Sequence, residues 1–414
     1  VADVTVLDPF FAGPDVTITH GNLVYDTLFS LDADFTPRPQ MVGSFGTEAD
    51  GRVWRLRLRD GLRFHDGEPV LARDCAASLR RWATRDAVGM VLLGALEDIE
   101  VLDDKRFRVR LKKRFRQLLF GLSTRQCFMM PERVAKLPGT EQLKEPIGSG
   151  PFRFLRDEWV SGVRAAYAKF DKYIPRNEAP SVYAGGKHVH FDRVEWIVQP
   201  DPATAIAALQ KNEVDWIEQP LIDLVPTLKK SPGVKVEIVE KNGYIIFMVI
   251  NHLHPPFSYP GVRQALWHVL DQNALLSGTI GDQKEYGYAP CGFFNPNSRM
   301  ASKVGLERLT GPRDVAAAKK LVAESGYKGE PCLLMAPPDQ PTFSQITPIM
   351  RDMLESIGIV NWPWEMTNDT LISSHVLASN QPHNLTDLAI QYLGHEIEQY
   401  ETALHEATEK ARRY

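Results

Sequence analysis

Long hydrophobic runs are missing from this 414-residue sequence. A membrane-spanning helix needs about 18 or more consecutive apolar residues, and no such stretch occurs, so we expect no membrane span. The longest apolar stretch, residues 244–250, has the length of a strand. An apolar segment typical of a secretion signal is also missing, and the chain begins with Val1 instead of Met. We interpret these features as signs of a processed or trimmed chain.

An excess of positive charge is missing as well. Lys and Arg number 48 and Asp and Glu number 52, which gives a net charge of −4 at pH 7. Proteins that bind nucleic acid usually carry a basic stripe, so nucleic acid is not an expected partner. The densest basic stretch, residues 106–116, alternates with Phe107, Val109 and Leu111. This alternation predicts a solvated strand face.

Cysteine is scarce, and its spacing excludes the common zinc motifs. The four cysteines are Cys75, Cys127, Cys291 and Cys332, and none forms a CxxC pair. A zinc site is therefore not expected. No other metal site and no cofactor is predicted. A disulfide between Cys291 and Cys332 and a set of buried free thiols both remain open.

Sequence signatures of common enzyme classes are absent. We find no GxSxG elbow, P-loop, HExxH motif or dinucleotide fingerprint. Ser149 stands between Gly148 and Gly150, as part of a nucleophile elbow would. However, Pro151 follows directly, and the elbow needs a helix that begins behind the serine. No catalytic residue is predicted.

The stretch from His65 to Glu68 contains a histidine beside two carboxylates. It could be an acid–base or metal cluster, or a strand that runs into a turn. Neighbouring strand residues point to opposite faces, so His65 and Asp66 would not converge on one ion. Asp66 and Gly67 fit a tight turn. We therefore predict a structural role for this stretch.

Strand-like and helix-like segments alternate along the chain, which favours α/β architecture. The length favours two or three domains. Helical periodicity predicts helices over residues 72–82, 203–211, 262–276, 316–325 and 346–357, with helical spacing again at 395–413. Apolar patterning predicts strands over residues 53–58, 62–65, 99–101, 106–111, 152–155, 214–217, 234–239, 244–251, 331–336 and 387–392.

Residues 54–69, with the sequence WRLRLRDGLRFHDGEP, resemble the signature block of family 5 extracellular solute-binding proteins. These are the dipeptide- and oligopeptide-binding receptors of ABC importers. Other segments resemble family elements in the family's order, and they are residues 7–9, 24–29, 72–82, 147–152, 203–215 and 251–271. Residues 387–394 match a family strand, but the Trp and the downstream Asp that the family carries there are absent. That Asp holds the ligand amine in peptide receptors.

The resemblance implies an α/β, two-lobed periplasmic-binding-protein fold of the large class II type. Lobe I is expected at residues 1–245, with an extra subdomain inserted at about 45–147, and lobe II at 246–390. Residues 391–414 are expected to form a C-terminal helical segment, and a truncated return to lobe I is the alternative considered for it. The junction at residues 242–244 is the candidate hinge, since hinges sit at the ends of elements.

The resemblance also suggests positions for ligand contacts between the lobes. The candidates are Thr17, Thr19, His20, Arg125, Tyr244, Tyr288, Phe293 and Trp364. Arg125 could hold a carboxylate, and the aromatic residues could form an apolar wall. His20 fits an exposed turn equally well, and Trp364 fits core packing.

The family function implied is capture of a small solute, with a peptide as first expectation, and its delivery to an ABC transporter permease. The ligand would stabilise a closed form by its differential affinity, without a covalent step. We expect a monomer in the periplasm or at the outer face of the cytoplasmic membrane. A sensor or chaperone-like binder with the same fold remains an alternative, as does a two-domain α/β hydrolase.

Overall fold

In the described residues, strands are assigned only in the first half of the chain, whereas helices occur in both halves. The computed structural model describes residues 3–10, 15–124, 126–138, 141–241, 243–334 and 341–361, with side chains from Gln345 in the last range. Backbone contacts divide the chain into two units. The first unit consists of Val1–Ala205 with Trp216–Glu218, and the second of Ile206–Asp215 with the described residues from Gln219 onward.

The first unit contains all strands that are assigned in the described residues. They are β1 Asp26–Thr27, β2 Phe29–Leu31, β3 Pro37–Pro39, β4 Val42–Glu48, β5 Val53–Leu58, β6 Leu96–Val101, β7 Arg106–Leu111, β8 Phe128–Met129, β9 Phe152–Phe154, β10 Arg164–Lys169 and β11 Arg193–Ile197. Strands β4, β5, β7 and β6 form one antiparallel sheet in that order. Strands β11, β10 and β9 form another, and β1–β8 and β2–β3 are two-stranded.

The helices lie in both units. Their bounds are α1 Asp15–Val24, α2 Ala72–Ala83, α3 Ala87–Ala95, α4 Leu118–Leu122, α5 Glu132–Ala135, α6 Pro202–Gln210, α7 Val225–Lys230, α8 Pro260–Val269, α9 Gln272–Ile280, α10 Glu307–Thr310, α11 Val315–Glu324 and α12 Pro341–Ser356. Short 3-10 turns lie at Ala49–Gly51, Arg156–Glu158, Ile222–Leu224 and Lys284–Tyr286. The predicted helices at 72–82, 203–211, 316–325 and 346–357 are confirmed within a few residues at their ends.

The period-two pattern of β5 and β7 separates the two faces of the four-stranded sheet. Leu56 and Val109 are buried beneath it, while the outer face carries arginines that lie opposite each other, Arg55 with Arg108 and Arg57 with Arg106. Like charges at directly opposite positions repel. Each outer arginine is neutralised by a carboxylate at the sheet margin, in the pairs Arg55–Glu48, Arg57–Asp60, Arg106–Asp103, Arg108–Glu100 and Arg110–Glu97. The predicted solvated strand face is confirmed for β7.

One hydrophobic core runs through the first unit. Its largest fully buried side chains include Tyr25, Phe29, Trp82, Phe107 and Phe128. The core includes side chains from residues 45–147 together with others of the unit. The bounds expected for an inserted subdomain stay a prediction.

A buried ion pair fixes the N-terminal segment to α2. The carboxylate of Asp8 and the guanidinium of Arg81 are 2.8 Å apart and almost completely buried. Asp8 also accepts hydrogen bonds from the backbone N–H groups of Phe10 and Leu143. Arg81 donates to the backbone carbonyl of Leu137 at 2.6 Å and to that of Glu141 at 3.0 Å. These bonds satisfy most of the polar atoms that the pair buries, which a buried charge requires.

The core of the second unit is made by helices. Val262, Ala265 and Val269 of α8 are buried, as are Ala318 and Val322 of α11, and the two helices are neighbours. In the described residues this unit has no strand, only an isolated bridge between Cys332 and Asn361.

The expectation of one helix over residues 262–276 is wrong, because the chain breaks between α8 and α9. Leu270 is extended, with ψ 119°. The Asp271 carboxylate accepts hydrogen bonds from the backbone N–H groups of Asn273 and Ala274 and caps a second helix.

Several predicted strands are not assigned. Residues 214–217, 234–239 and 244–251 carry apolar patterns but no strand ladder. A strand needs a hydrogen-bonded neighbour, and no neighbour is assigned to these segments in the described residues. Residues 62–65 and 331–334 contribute only the isolated bridges Arg63–Pro69 and Cys332–Asn361. Residues 335–336 and the elements predicted at 387–392 and 395–413 lie outside the described residues.

The four cysteines are free thiols. Burial raises the pKa of each, to about 11 for Cys332. The disulfide considered between Cys291 and Cys332 is therefore not formed in this structure. None of the described helices is both long and apolar enough to span a membrane.

Replacing Arg81 with Met should lower the free energy of unfolding by about 3–5 kcal/mol, because Asp8 would remain buried without its counter-charge. The matched control is Arg80→Met on the same helix, where the partner Asp98 is exposed. Such a surface pair contributes about 0–1 kcal/mol. Urea unfolding followed by circular dichroism measures both values. Equal losses would contradict the anchoring role of Arg81.

Candidate functional site

His65 joins its own turn to the Gly148–Gly150 segment. Its Nε2 lies 3.0 Å from the Gly150 carbonyl oxygen, and its backbone N–H donates to the Gly148 carbonyl at 2.8 Å. The backbone N–H of Gly148 lies 3.4 Å from Nδ1. Asp66 instead pairs with Arg133. The histidine and the carboxylate therefore engage different partners, as expected for a scaffold turn.

The hydrogen bonds of His65 suit a neutral ring. Burial lowers its pKa to about 4; the nearby charge of Arg153 acts in the same direction, and the Gly150 carbonyl and Asp66 oppose it. Because the Gly148 N–H points at Nδ1, the ring proton belongs on Nε2, where it is donated to Gly150. A second ring proton would face the Gly148 N–H.

Close backbone packing explains the glycines around Ser149. A Cβ on Gly148 would lie 1.9 Å from the carbonyl oxygen of Val24 at the end of α1, and one on Gly150 would lie 2.7 Å from that of Leu23. Ser149 is buried, and its Oγ has no hydrogen-bond partner among the described residues. Activation of a serine needs an adjacent base, and the described surroundings of Ser149 supply none.

His20 lies in the core of the first unit. Its Nδ1 is 3.0 Å from the Tyr167 hydroxyl, and its ring packs edge-on against Phe154. Burial lowers its pKa to about 3. The ring is therefore enclosed in this structure, unlike the exposed turn histidine that the sequence also allowed.

The two threonines of α1 differ in exposure. Thr17 is buried, and its hydroxyl donates to the Val6 carbonyl at 3.1 Å. Thr19 is exposed, and its hydroxyl donates to the Asp15 carbonyl one turn earlier. Of these two predicted contacts, only Thr19 presents its side chain to solvent here.

Three predicted contacts lie on neighbouring segments of the second unit. Phe293 packs against Phe247 and Phe294, with ring centroids 5.5 and 5.0 Å apart. The Tyr288 hydroxyl accepts a hydrogen bond from the side-chain amide of Asn297. The same amide donates to the backbone carbonyl of Lys241, which precedes Tyr244 closely in the sequence. We call Tyr244, Phe247, Tyr288, Phe293 and Phe294 the aromatic surface.

The aromatic surface is unusually open. Tyr244 is 74% exposed and Phe293 73% exposed. Aromatic rings bind apolar groups by area and by stacking, and tyrosine adds a hydroxyl. Gln219 donates to the Tyr244 hydroxyl at 3.2 Å and so orients that ring. This arrangement can hold an apolar group of a solute.

The remaining predicted contacts, Arg125 and Trp364, lie outside the described residues, as does Asn242 of the candidate hinge. The proposed roles of all eight residues stay predictions.

The second unit also contains a cavity of about 250 Å³ that sequence reasoning missed. Its wall includes Trp267, His268, Asp271, Arg308 and Arg313, and Asp271 pairs with Arg313. Ligand pockets usually measure about 300–1,000 Å³, so this one fits only a small group. The available signal was the helix cap at Asp271, which a search for Asp before a helix start could have found.

Acidic, histidine and cysteine side chains do not gather into a metal-binding group of three or more within the described ranges.

Comparison with known proteins identifies similar chains. The family described as "Bacterial extracellular solute-binding proteins, family 5 Middle" matches residues 36–369. A probable peptide ABC transporter periplasmic-binding protein of Sinorhizobium fredii is 37% identical over 359 residues, which cover 86% of this chain and 67% of that protein. A glutathione-binding protein of Pectobacterium atrosepticum is 25% identical over a match that covers 86% of this chain and 66% of that protein. The chain thus spans about two thirds of the length of these relatives.

A solved structure shares the fold. It is an ABC transporter-associated periplasmic binding protein from Helicobacter pylori in complex with the peptide STSA, with a TM-score of 0.70 and 21% identity. The match covers 87% of this chain and 71% of the other. This structural similarity confirms the α/β periplasmic-binding-protein fold that was expected from the sequence.

The geometry around His65 predicts a loss of stability in acid. The folded pKa is about 4, below the ordinary value of 6.5, so the neutral ring contributes stability above pH 6.5 that is lost as the pH falls toward 4. The full difference corresponds to about 3 kcal/mol. We expect His65→Gln to reduce the fall in unfolding free energy between neutral pH and the folded pKa. Urea titrations of the unmodified protein and of the variant, at neutral pH and at pH 4, measure this fall in unfolding free energy. His20 is present in both proteins, so its own titration cancels in the comparison. Identical pH dependence would exclude the neutral-ring account.

Proposed function

The chain belongs to the bacterial extracellular solute-binding proteins of family 5, and from this membership we propose that it captures a small peptide-like solute and delivers it to an ABC importer. The family match over residues 36–369 carries the proposal. Five of the sequence blocks that resemble the family, from residue 54 to residue 271, lie within this range. Capture in the periplasm is supported by the name of the Sinorhizobium fredii relative.

Binding without chemistry fits the local geometry. His65 is engaged by backbone groups of the Gly148–Gly150 segment, and Ser149 has no described base beside it. A hydrolase would need a nucleophile and a base within hydrogen-bond reach. The two motifs that most resembled catalytic groups are instead parts of one packing contact.

A peptide-like solute is supported by two kinds of relative. One is named for a peptide transporter, and the other for glutathione, which is itself a tripeptide. The aromatic surface adds a physical reason, because exposed rings can hold the apolar side chains of a peptide. We propose that a peptide side chain contacts this surface, and that the protein acts as a monomer with a permease as partner.

The first test is a thermal-shift screen with di- and tripeptides, including glutathione, after native mass spectrometry of the purified protein. A solute that binds only the folded state at 100 times its Kd stabilises it by about 2.7 kcal/mol. We expect a peptide to raise the melting temperature and calorimetry to give one solute per chain. If only a non-peptide solute raises the melting temperature, the protein binds a solute but the proposal that this solute is a peptide is wrong. Hydrolysis of the peptide would overturn the proposed function.

Phe293→Ala tests the aromatic surface. The change should weaken peptide binding about tenfold, since loss of roughly 1.4 kcal/mol of apolar contact has this effect, while the melting temperature stays nearly constant because Phe293 is largely exposed. Phe191→Ala is the matched control, since Phe191 is 70% exposed and lies in the first unit. Isothermal calorimetry with the peptide found in the screen measures both. Equal affinity for the two variants would remove Phe293 from the site.

A further inference from the structure

Helix α3 has the sequence AVGMVLLGA, without a charged or polar side chain, yet one of its faces is open to solvent. Gly89, Leu92 and Ala95 are buried. Met90 is 52% exposed, Val91 62% and Leu93 41%. A surface helix normally carries polar residues on its outer face. This helix therefore presents an apolar face that the packing of the first unit does not require.

A second helix extends the apolar area. Helix α4 contacts α3, and the position of a Cβ on Gly121 lies 3.0 Å from Val88 Cγ1. Phe120, beside Gly121, is 39% exposed. Single exposed apolar residues are ordinary, whereas a group on adjoining elements indicates an interaction site. We call Met90, Val91, Leu93 and Phe120 the α3–α4 face.

Positive charge borders the α3–α4 face. The backbone N–H of Lys112 donates to the Ala95 carbonyl at the end of α3, and the chain then passes through Lys113, Arg114 and Arg116 directly into α4. All four cations are exposed. None forms an ion pair with another described residue, whereas the preceding arginines of β7 all have carboxylate partners.

We propose that the α3–α4 face and its basic border dock the protein on an anionic lipid surface. Interfacial protein segments bury apolar side chains about 5–10 Å into the boundary between headgroups and acyl chains. Cations beside such a segment are attracted by anionic headgroups. Four exposed cations that have no ion-pair partner among the described residues lie next to an apolar face without hydrogen-bonding side chains, and together they complement this surface in charge and in polarity. Docking would hold a solute carrier close to a membrane-embedded partner.

The test is co-sedimentation with vesicles made of equal parts phosphatidylglycerol and phosphatidylcholine, compared with phosphatidylcholine alone. We expect binding to the anionic vesicles that falls with added salt. Lys113→Gln with Arg116→Gln should lower the partition coefficient about 30-fold. Met90→Ser with Val91→Ser should lower it about tenfold. Melting temperatures establish that each variant is folded.

The matched control is Arg55→Gln with Arg57→Gln, which removes the same charge from the ion-paired sheet face and should leave partitioning nearly unchanged. No binding of the unmodified protein, or equal losses in the control, would overturn the proposal. Loss of peptide affinity in the α3–α4 variants with vesicle binding intact would assign the face to the solute and also overturn it. The vesicle measurement uses no solute, so its failure leaves the proposed function untouched.

Discussion

A single buried pair of opposite charges organises the first unit. Asp8 and Arg81 neutralise each other in the interior of the unit, where water does not solvate their charges. Each side chain also forms a hydrogen bond with the backbone of a third segment. The pair thus requires the N-terminal segment, α2 and residues 137–143 to meet at one place. Removal of one partner leaves an uncompensated buried charge, which destabilises the contact among all three segments.

The contact between His65 and residues 148–150 likewise joins segments that are distant in sequence, but it does so through neutral groups. Two loops that are more than 80 residues apart in sequence are joined through one imidazole ring, and the missing side chains of Gly148 and Gly150 allow the second loop to lie on the end of α1. These motifs stabilise the unit in which they occur. We propose that recognition of a solute uses side chains that this packing does not involve, such as those of the aromatic surface.

Local patterns predicted α2 and the strands β5, β6, β7 and β9 of the first unit, because these elements follow their own periodicity. The structural role of His65 was also predictable, from the tight turn that Asp66 and Gly67 favour. Its actual partner was not, because a contact with Gly150 depends on tertiary packing. In the second unit, the break at Asp271 depends on a cap that competes with helical periodicity. Residues 244–251 have a strand pattern, but pattern alone supplies no neighbouring strand. Of the aromatic surface, the sequence predicted Tyr244, Tyr288 and Phe293 as candidate contacts, and it missed the cavity near Asp271.

The outer face of the four-stranded sheet has an evolutionary consequence. Arg55 faces Arg108 across the ladder, and each relies on a different carboxylate at the margin, Glu48 and Glu100. The effect of changing one of these residues therefore depends on which residue occupies the others. Loss of Glu100 should cost up to about 1 kcal/mol while Arg108 is present, and less once Arg108 is gone. Substitutions on this face are epistatic, and accepted changes should occur in pairs across it.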